Sequence, residues 1–357
     1  MKTGKERLKY VDVIRFLAVC LIVISHFNLS LPAADIQIHG NPYLIKSEFA
    51  HGSFGTLGVS LFFIISGVTL YYNYGDTFNI KQFLKKRFLG IYPTFWCSYI
   101  LVFLILFWKY KKFWFGDIPK WRFVLTVFGM DGYFRYLGDN FYLIGEWFLG
   151  CIIIFYLLFP VLRICVNKFP APTAVTAVIL YVLTAVFNPF KVGISYNIII
   201  RICDFLFGML WAKYMRGRKV NGKVFLLCIL CLILCSLIRI PGISIFCITI
   251  FGQALFVSLV FLFERIDFSQ VYIIQLTGKY SYEIFLLHHV CISLYVGCFR
   301  EHAYSLWEGL VLFSGVLVLI YAAVAVEKLV EREAGKILQG FFLPVRRNRI
   351  SIKKERE

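Results

Sequence analysis

Residues 11–27 read VDVIRFLAVCLIVISHF, an apolar run that carries Arg15 and His26. With the apolar residues that follow it, the run is long enough to cross a bilayer, which takes about 20 residues. A central arginine costs about 2.5–3.5 kcal/mol on membrane-insertion scales, so an intramembrane charge marks a functional site by default. Arg15 and His26 are about three helical turns apart, so both side chains leave one face of the helix, roughly 16 Å apart along its axis.

Two interpretations of this helix are open. In the first, the arginine and the imidazole contact the two ends of one elongated ligand. In the second, Arg15 snorkels to the cytosolic interface and His26 hydrogen-bonds to a neighbouring helix. The helix alone favours neither interpretation, so the rest of the chain must distinguish them.

The composition indicates an all-α, polytopic membrane protein. The chain has 357 residues, of which 60% are hydrophobic and 16% are charged, and a water-soluble protein cannot bury that much apolar surface. The net charge of +18 would suggest nucleic-acid binding in a soluble chain. Here the lysines and arginines lie mostly in short loops and the tails, which the positive-inside rule explains, so no nucleic-acid partner is expected.

The 11 cysteines lie mostly inside apolar runs, as Cys228, Cys231 and Cys235 do. Buried free cysteine behaves as a small apolar residue. No loop carries a pattern of metal-ligand spacing, so we expect neither disulfides nor a bound metal.

Long apolar segments predict ten transmembrane helices with both termini in the cytosol. Residues 1–330 are expected to form one membrane domain and residues 331–357 a basic cytosolic tail. The basic sequence Lys85-Lys86-Arg87 is expected to end a cytosolic loop. The predicted helices span about 11–31, 54–74, 88–108, 141–162, 173–189, 193–213, 224–238, 243–263, 280–298 and 306–328.

Two segments between the helices carry expectations of their own. Residues 109–140 lie outside by alternation, although they contain several lysines and arginines. Aromatic residues in this segment, among them Trp114 and Trp121, indicate a short amphipathic helix in the interface. Residues 264–279 are expected to form a cytosolic loop.

The predicted depths separate the cations from the imidazoles. His26 and His288 lie in the middle or outer half of the membrane, whereas Arg15 and residues 85–87 lie near the cytosolic face. This arrangement suits an anionic cytosolic donor whose reactive end reaches the membrane centre. Imidazole is the side chain best placed to take a proton from a hydroxyl near pH 7.

Each of these candidates also has a structural interpretation. Residues 85–87 fit topology determinants as well as phosphate contacts, and Glu146 fits an interfacial carboxylate. His288 and His289 leave a helix about 100° apart, so one of them is expected to pack between helices and not to enter a common site.

Other polar residues have structural expectations only. Arg201 and Asp204 have the i, i+3 spacing of an ion pair on one helix face, and we favour a structural pair. His39, His51 and His302 lie in predicted loops, where nothing beyond exposure is expected of them.

Four segments together resemble the acyltransferase-3 family of integral membrane O-acyltransferases. The pattern Asp12-x-x-Arg15-x10-His26 is similar to the first-helix motif of that family. The other three segments are residues 58–67 (GVSLFFIISG), which resemble the second-helix motif; residues 147–149 (WFL) with 155–160 (FYLLFP), which resemble the fourth-helix block; and residues 281–288 (SYEIFLLH), which resemble the Ser-Tyr-x-x-Tyr-Leu-x-His block with Phe285 where tyrosine is usual. The matches follow in order over nearly the whole chain.

The resemblance implies acetyl-CoA or another acyl-CoA as the cytosolic donor substrate, with no permanently bound cofactor. It implies a hydroxyl of an extracytoplasmic or lipid-linked glycan as the acceptor. His26 would be the catalytic histidine, as general base or as transient acyl carrier, and Arg15 would help to hold the donor. The residues expected to contact donor phosphates are Lys85, Lys86 and Arg87, and those expected near the acceptor are Glu146, Trp147, Tyr282 and His288.

One position departs from the family pattern. Arg87 corresponds to the first arginine of the family's Arg-x-x-Arg-Ile-x-Pro motif, and Gly90 stands where the second arginine is usual. One phosphate contact is therefore missing, and Lys85 or Lys86 would substitute for it.

We therefore predict a membrane O-acetyltransferase that acts on a cell-envelope or exported polysaccharide, in the plasma membrane of a bacterium. A transporter or flippase is the first alternative, because intramembrane charged residues also mark substrate pathways. Inverted repeats would favour transport, and the sequence shows none. A structural or assembly role is the second alternative, if Gly90 marks an inactive member.

Overall fold

The protein is a bundle of α-helices joined mostly by short connections. The computed structural model describes residues 7–49, 51–111, 117–238, 240 and 242–342. The helices in these residues are α1 (Lys9–Ser30), α2 (Phe54–Tyr74), α3 (Ile80–Tyr110), α4 (Phe123–Val127), α5 (Glu146–Lys168), α6 (Pro170–Phe187), α7 (Ile198–Tyr214), α8 (Gly222–Leu237), α9 (Ser244–Phe263), α10 (Tyr272–Lys279), α11 (Ser281–Val296) and α12 (Leu306–Phe342).

Ten of these helices correspond to the ten predicted from apolar segments. Eight are long and apolar enough to cross a membrane, namely α1, α2, α3, α5, α6, α7, α9 and α12. The helices α8 and α11 are apolar but shorter. The prediction of an all-α, polytopic membrane protein is therefore confirmed.

The prediction that α3 begins near residue 88 is wrong, because the helix begins at Ile80. The side chain of Asn79 accepts a hydrogen bond from the backbone N–H of Gln82 at 3.0 Å and caps the first turn. Residues 85–87 therefore lie inside α3 and not in a loop. Hydrophobicity did not reveal these turns because they are polar.

Two expectations about connecting segments are also wrong in part. The predicted loop 264–279 contains the short helix α10. Helix α12 continues to Phe342, beyond its predicted end near residue 328, and residues 343–357 lie outside the described part. The polar end of α12 is supported by side-chain pairs such as Lys336 with Glu333, whose Nζ and Oε1 atoms are 2.8 Å apart.

The described residues 117–140 of the predicted outside segment include short helical pieces. A 3-10 turn (Lys120–Arg122) runs directly into α4, and a second 3-10 turn spans Tyr133–Leu137. Trp121 is exposed next to α4, as expected for an interfacial segment. Trp114 lies outside the described residues.

Helices α1 and α2 lie at the centre of the bundle. Helix α1 packs against α2, α9, α10 and α11, and α2 packs against α1, α7 and α9. The glycines of α2 allow its neighbours to approach closely. A Cβ atom at Gly58 would lie 2.7 Å from the carbonyl oxygen of Ala18 on α1.

The tightest contact joins α2 to α7. A Cβ atom at Gly67 would lie 2.0 Å from the carbonyl oxygen of Phe205, and a Cβ atom at Gly208 would lie 2.0 Å from that of Ile64. Each glycine thus lets the backbone of the other helix approach. Small residues serve this purpose in membranes, where backbone packing and dispersion hold helices together.

The two ends of the bundle differ in chemistry. At the end where α1 begins, a cavity of about 540 Å³ is lined by many basic side chains, and we call this the basic end. We call the opposite end, where α1 finishes after His26, the histidine end. The sequence predicts that the basic end is cytosolic. The basic lining residues are Arg7, Lys9, Arg216, Arg218, Lys219 and Arg265.

Two small strand pairs tie the loops at the histidine end. Strand β1 (Gln37–Ile38) pairs in parallel with β4 (Ala303–Tyr304), and β2 (Glu48–Phe49) pairs antiparallel with β3 (Gly52–Ser53).

His51 lies in this region and is buried, which corrects the expectation of an exposed loop histidine. Its ring contacts the Ser244 hydroxyl and the Ile238 carbonyl oxygen, so it connects the β2–β3 hairpin to α8 and α9.

The glycine contact between α2 and α7 gives a direct test of the packing. We expect Gly208→Ala to destabilise the protein by about 1–3 kcal/mol, because the added methyl group forces the two backbones apart. The measurement is thermal denaturation of the purified protein in detergent. Gly90→Ala is the control, since a Cβ atom there meets nothing within 4 Å. Equal melting temperatures for the two variants would contradict the packing argument.

Candidate active site

Four ionisable side chains from three helices meet at the histidine end. His26 comes from α1, Glu146 from the first turn of α5, and His288 and His289 from α11. Nε2 of His289 lies 3.3 Å from Glu146 Oε1, and Nε2 of His288 lies 3.7 Å from the same oxygen. Nε2 of His26 lies 3.9 Å from Glu146 Oε2. The predicted site residues His26, Glu146 and His288 are therefore brought together around one carboxylate.

The expectation that only one of His288 and His289 enters the site is wrong. Their ring centroids lie 5.1 Å and 4.2 Å from that of His26. The two side chains leave α11 about 100° apart, yet both reach the carboxylate of Glu146, because it lies between their directions. His288 is buried, whereas the side chain of His289 is 48% exposed.

The backbone at Glu146 adopts an unusual conformation. Its φ is +32°, in the left-handed region that residues other than glycine rarely adopt, and the preceding Gly145 has φ +90°. A Cβ atom at Gly132 would lie 2.2 Å from the carbonyl carbon of Glu146, so the loop before α5 packs directly on this residue. Backbone strain of this kind costs about 1–3 kcal/mol and concentrates at functional sites. The loop therefore fixes the direction of the carboxylate.

A cavity of about 730 Å³ opens beside the four side chains. Its wall includes the predicted residue Trp147 and also Arg135, Tyr142 and Tyr196. Burial and the nearby carboxylate of Glu146 raise the pKa of Tyr142, so its phenol is a neutral hydroxyl at physiological pH. The cavity thus presents aromatic rings, a hydroxyl and a cation around the histidines.

Arg201 supports one wall of this cavity from within the bundle. It lies 3.6 Å from Asp204, with both side chains 1% exposed, so the predicted i, i+3 ion pair is confirmed. Its Nε also donates to the Ser195 carbonyl oxygen at 2.8 Å. The guanidinium carbon lies 5.6 Å from the ring centre of Trp147, which in turn packs on Tyr196. Arg201 therefore positions two aromatic residues of the cavity.

The predicted donor-binding residue Arg15 lies at the basic end, well away from the histidines. Its Nη1 lies 3.6 Å from Asp12, which also pairs with Arg7 at 2.8 Å. Arg15 lines a small cavity of about 210 Å³ together with residues of α1 and α2. The structure thus separates Arg15 from His26, as the spacing on α1 predicts.

Arg87 turns into the bundle, whereas Lys85 and Lys86 are exposed on α3. The guanidinium carbon of Arg87 lies 5.4 Å from the ring centre of Tyr156. Within the described residues its buried Nε has no hydrogen-bond partner. Arg87 fits a ligand contact better than the two lysines do.

Aromatic rings on α11 lie between the two ends. The rings of Tyr282 and Phe285 are 6.5 Å apart, and those of Phe285 and His288 are 6.2 Å apart. The hydroxyl of Tyr282 donates to the carbonyl oxygen of Ile91 at 3.3 Å. Tyr282, predicted to bind the acceptor, therefore lies below the histidine cavity and not in its wall.

A family model described as an acyltransferase domain, of the acyltransferase-3 type, matches residues 8–326. The chain belongs to this acyltransferase family. It is accordingly a multi-pass membrane acyltransferase, and membership of the family favours group transfer over transport. Comparisons with curated proteins and with solved structures gave no match.

Sequence reasoning missed several residues that the acyltransferase fold brings into the cavity. Tyr196 follows α6 in a loop, and Arg135 and Tyr142 lie in the long segment before α5. Loop residues carry no periodicity from which a direction can be inferred. The concentration of basic residues in 109–140, which fits an outside segment poorly, was the one available signal for Arg135.

Asp131, in the same loop as Gly132, gives a pH-dependent test of how this loop is held. The residue is 2% exposed, and burial raises the pKa of its carboxyl group to about 6. A raised pKa in the folded state means that stability is highest below pH 4 and is lost as the pH rises through 6. We expect Asp131→Asn to stabilise the protein at pH 7.5 by up to about 3 kcal/mol, since it removes the buried charge.

The measurement is the melting temperature of both proteins at pH 7.5 and at pH 5. The gain from the substitution should fall by about half at pH 5, where the folded wild-type carboxyl is mostly protonated. A gain that does not depend on pH would show that burial of the charge is not its cause.

Proposed function

We propose that this membrane acyltransferase moves an acyl group, acetyl in the simplest case, from cytosolic acyl-CoA to a hydroxyl of an extracytoplasmic or lipid-linked glycan. One observation supports this proposal most directly. His26, Glu146 and His288 meet beside a cavity at the end of the bundle opposite to Arg15 and Arg87. The basic end suits the phosphates of the donor, and the histidine cavity suits its reactive thioester. Helix α1 contributes Arg15 to the first and His26 to the second.

His26 acts as the general base in this proposal. Its Nε2 takes the proton of the acceptor hydroxyl while the hydroxyl oxygen attacks the thioester carbonyl carbon. The C–S bond then breaks, the thiolate of CoA takes up a proton, and the new ester leaves through the cavity. Glu146 Oε2 lies 3.9 Å from Nε2 of His26, so its carboxylate stabilises the positive charge that forms on the imidazolium.

The donor fits the charge distribution of the basic end. Arg15 and Arg87 both lie towards this end, Arg87 against the ring of Tyr156, and guanidinium groups bind phosphate oxygens in a bidentate manner. Roughly 16 Å separate Arg15 from His26 along α1, so an elongated donor is required to place its acyl end at the histidine. At Gly90, where the family pattern has a second arginine, a Cβ atom would meet nothing within 4 Å. Lys86 lies one turn away on the same helix and is exposed, so it can replace the missing phosphate contact.

The acceptor fits the cavity at the histidine end. Its volume of about 730 Å³ is within the range of small-molecule sites. Trp147 and Tyr196 present flat faces against which the apolar side of a sugar ring can pack, and Tyr142 and Arg135 supply polar contacts. An acceptor of this kind supports the plasma membrane of a bacterium as the location.

Replacing His26 tests the assignment of the base. We expect His26→Gln to lower the rate of acyl transfer by about 100-fold or more, because general base catalysis contributes about 10²–10⁴. The measurement supplies labelled acetyl-CoA to membranes of matched expression and counts label in extracted glycan and lipid-linked products.

His302→Ala is the matched control, since His302 is an exposed loop histidine at the same end of the bundle. The control should retain wild-type transfer. A folded His26→Gln protein with full activity would exclude His26 as the base. If acetyl-, succinyl- and butyryl-CoA all fail to label any product, the proposed donor class is wrong.

The donor contacts make a separate prediction about substrate affinity. We expect Arg87→Gln to raise KM for acyl-CoA by about tenfold, because a charge-assisted hydrogen bond contributes about 1.5–3 kcal/mol. The rate at saturating donor should change little, since Arg87 lies at the opposite end from the histidines. Lys81→Gln, an exposed lysine on the same helix, should leave KM unchanged. A loss of kcat with unchanged KM would contradict a donor-binding role for Arg87.

A further inference from the structure

The histidine cluster contains the side chains that bind transition metals. Among the described residues, His26, Glu146, His288 and His289 form the single group of three or more potential ligands whose ligand atoms all lie within 4.8 Å of one another. We propose that these four residues form a binding site for one divalent transition-metal ion, for which Zn²⁺ is the best fit. Three imidazoles and one carboxylate supply four ligands, the usual number for zinc in proteins.

The distances between the ligand atoms match a metal site better than a hydrogen-bond network. Zinc ligands at about 2.0–2.2 Å in a tetrahedron lie roughly 3.3–3.6 Å from one another. Glu146 Oε1 lies 3.3 Å from Nε2 of His289 and 3.7 Å from Nε2 of His288, and Glu146 Oε2 lies 3.9 Å from Nε2 of His26. Direct hydrogen bonds would bring these atoms to about 2.7–3.2 Å. The separations therefore lie closer to those of zinc ligands than to those of hydrogen-bonded atoms.

The orientation of His288 is the second, independent observation. Its Nδ1 lies 2.7 Å from the carbonyl oxygen of Phe285 and 3.1 Å from that of Ile284, so Nδ1 carries the proton and donates. Nε2 is then unprotonated, and its lone pair points towards Glu146. Histidine ligands of metals are typically fixed in this way, by a hydrogen bond from the other ring nitrogen.

Two buried atoms of the cluster lack partners that an ion would supply. Within the described residues, neither His288 Nε2 nor Glu146 Oε1 makes a hydrogen bond, and His288 is 1% exposed. Both atoms are acceptors, so they cannot satisfy each other without an added proton or cation. Buried acceptors of this kind are destabilising when nothing binds them.

The chemistry of the ligands selects among cations. Imidazole nitrogen binds zinc, copper and nickel in preference to magnesium or calcium, which take oxygen ligands. The cavity beside the cluster opens the site to ions from the histidine end. With three imidazole ligands, the site should therefore bind Zn²⁺ and other late transition-metal ions and exclude Mg²⁺.

Occupation of the site has a consequence that rests on the proposed function. A metal ion on His26 Nε2 uses the lone pair that would take the proton of the acceptor hydroxyl. Zn²⁺ and the acceptor then compete, so bound zinc holds the acyltransferase in an inactive form and a chelator restores it.

Metal binding is tested without any assay of transfer. The full chain is purified in detergent, stripped with a chelator and titrated with Co²⁺, whose visible absorption reports tetrahedral coordination, followed by displacement with Zn²⁺. We expect one ion per chain in the wild-type protein. His289→Ala should weaken binding about tenfold or more, since even losing a residue that only orients a ligand costs about 10–100-fold. Its half-exposed position makes this variant the one least expected to misfold.

His302→Ala is the matched control and should bind like the wild type. Equal binding by His289→Ala, or no binding by the wild type, would overturn the site. The two proposals fail separately. If the protein binds no ion and Zn²⁺ does not inhibit acyl transfer, the metal site is wrong and the acyltransferase function stands. One bound ion without transfer to any glycan keeps the site and removes the proposed function.

Discussion

The carboxylate of Glu146 is the group around which the functional end of the bundle is arranged. A buried carboxylate in an apolar bundle is costly unless other polar groups face it. Here three imidazoles face it within 3.9 Å, and they come from α1 and α11. The left-handed backbone at Glu146 and the tight packing of Gly132 show that the loop before α5 holds it in place. The positions of three helices and one loop are therefore linked through this carboxylate.

The proposed function uses both ends of this geometry. His26 and Arg15 lie at different depths on α1, so a donor and an acceptor that bind them would approach from opposite ends. Between the ends lie the rings of Tyr282 and Phe285. Arg201 supports the acceptor side from a fully buried position, since it connects the α7 ion pair to the Trp147 wall. Fixed polar groups of this kind stabilise developing charge without reorganising.

Much of the fold was readable from the sequence, because membrane helices are marked by apolar runs. The bounds of α2 were predicted at 54–74 and are Phe54–Tyr74. The ends of α3 and α12 were missed, since their outer turns are polar and hydrophobicity does not report on helix that lies beyond the apolar core. Asn79 before α3 was the available signal, as a side chain that caps a first turn.

The site was predictable where its residues share a helix and unpredictable where they do not. Arg15 and His26 were placed correctly because α1 fixes their spacing. His289 was misjudged because the geometry of one helix gives only the directions of its side chains. Whether two of them share a site depends on the group that they face, here Glu146 from another helix. Tyr196 and Arg135 lie in loops, where only the folded chain shows their position.

The contact of α1 with α10 and α11 has a consequence for how the chain matures. Helix α1 is synthesised first, yet its partners are among the last to leave the ribosome: Lys9 pairs with Asp267, 258 residues further along. Until then, α1 must reside in the membrane with His26 lacking its final neighbours. Contacts of such long sequence separation form late. The acyltransferase therefore acquires its reactive centre only when the chain is almost complete, and a prematurely terminated chain cannot assemble it.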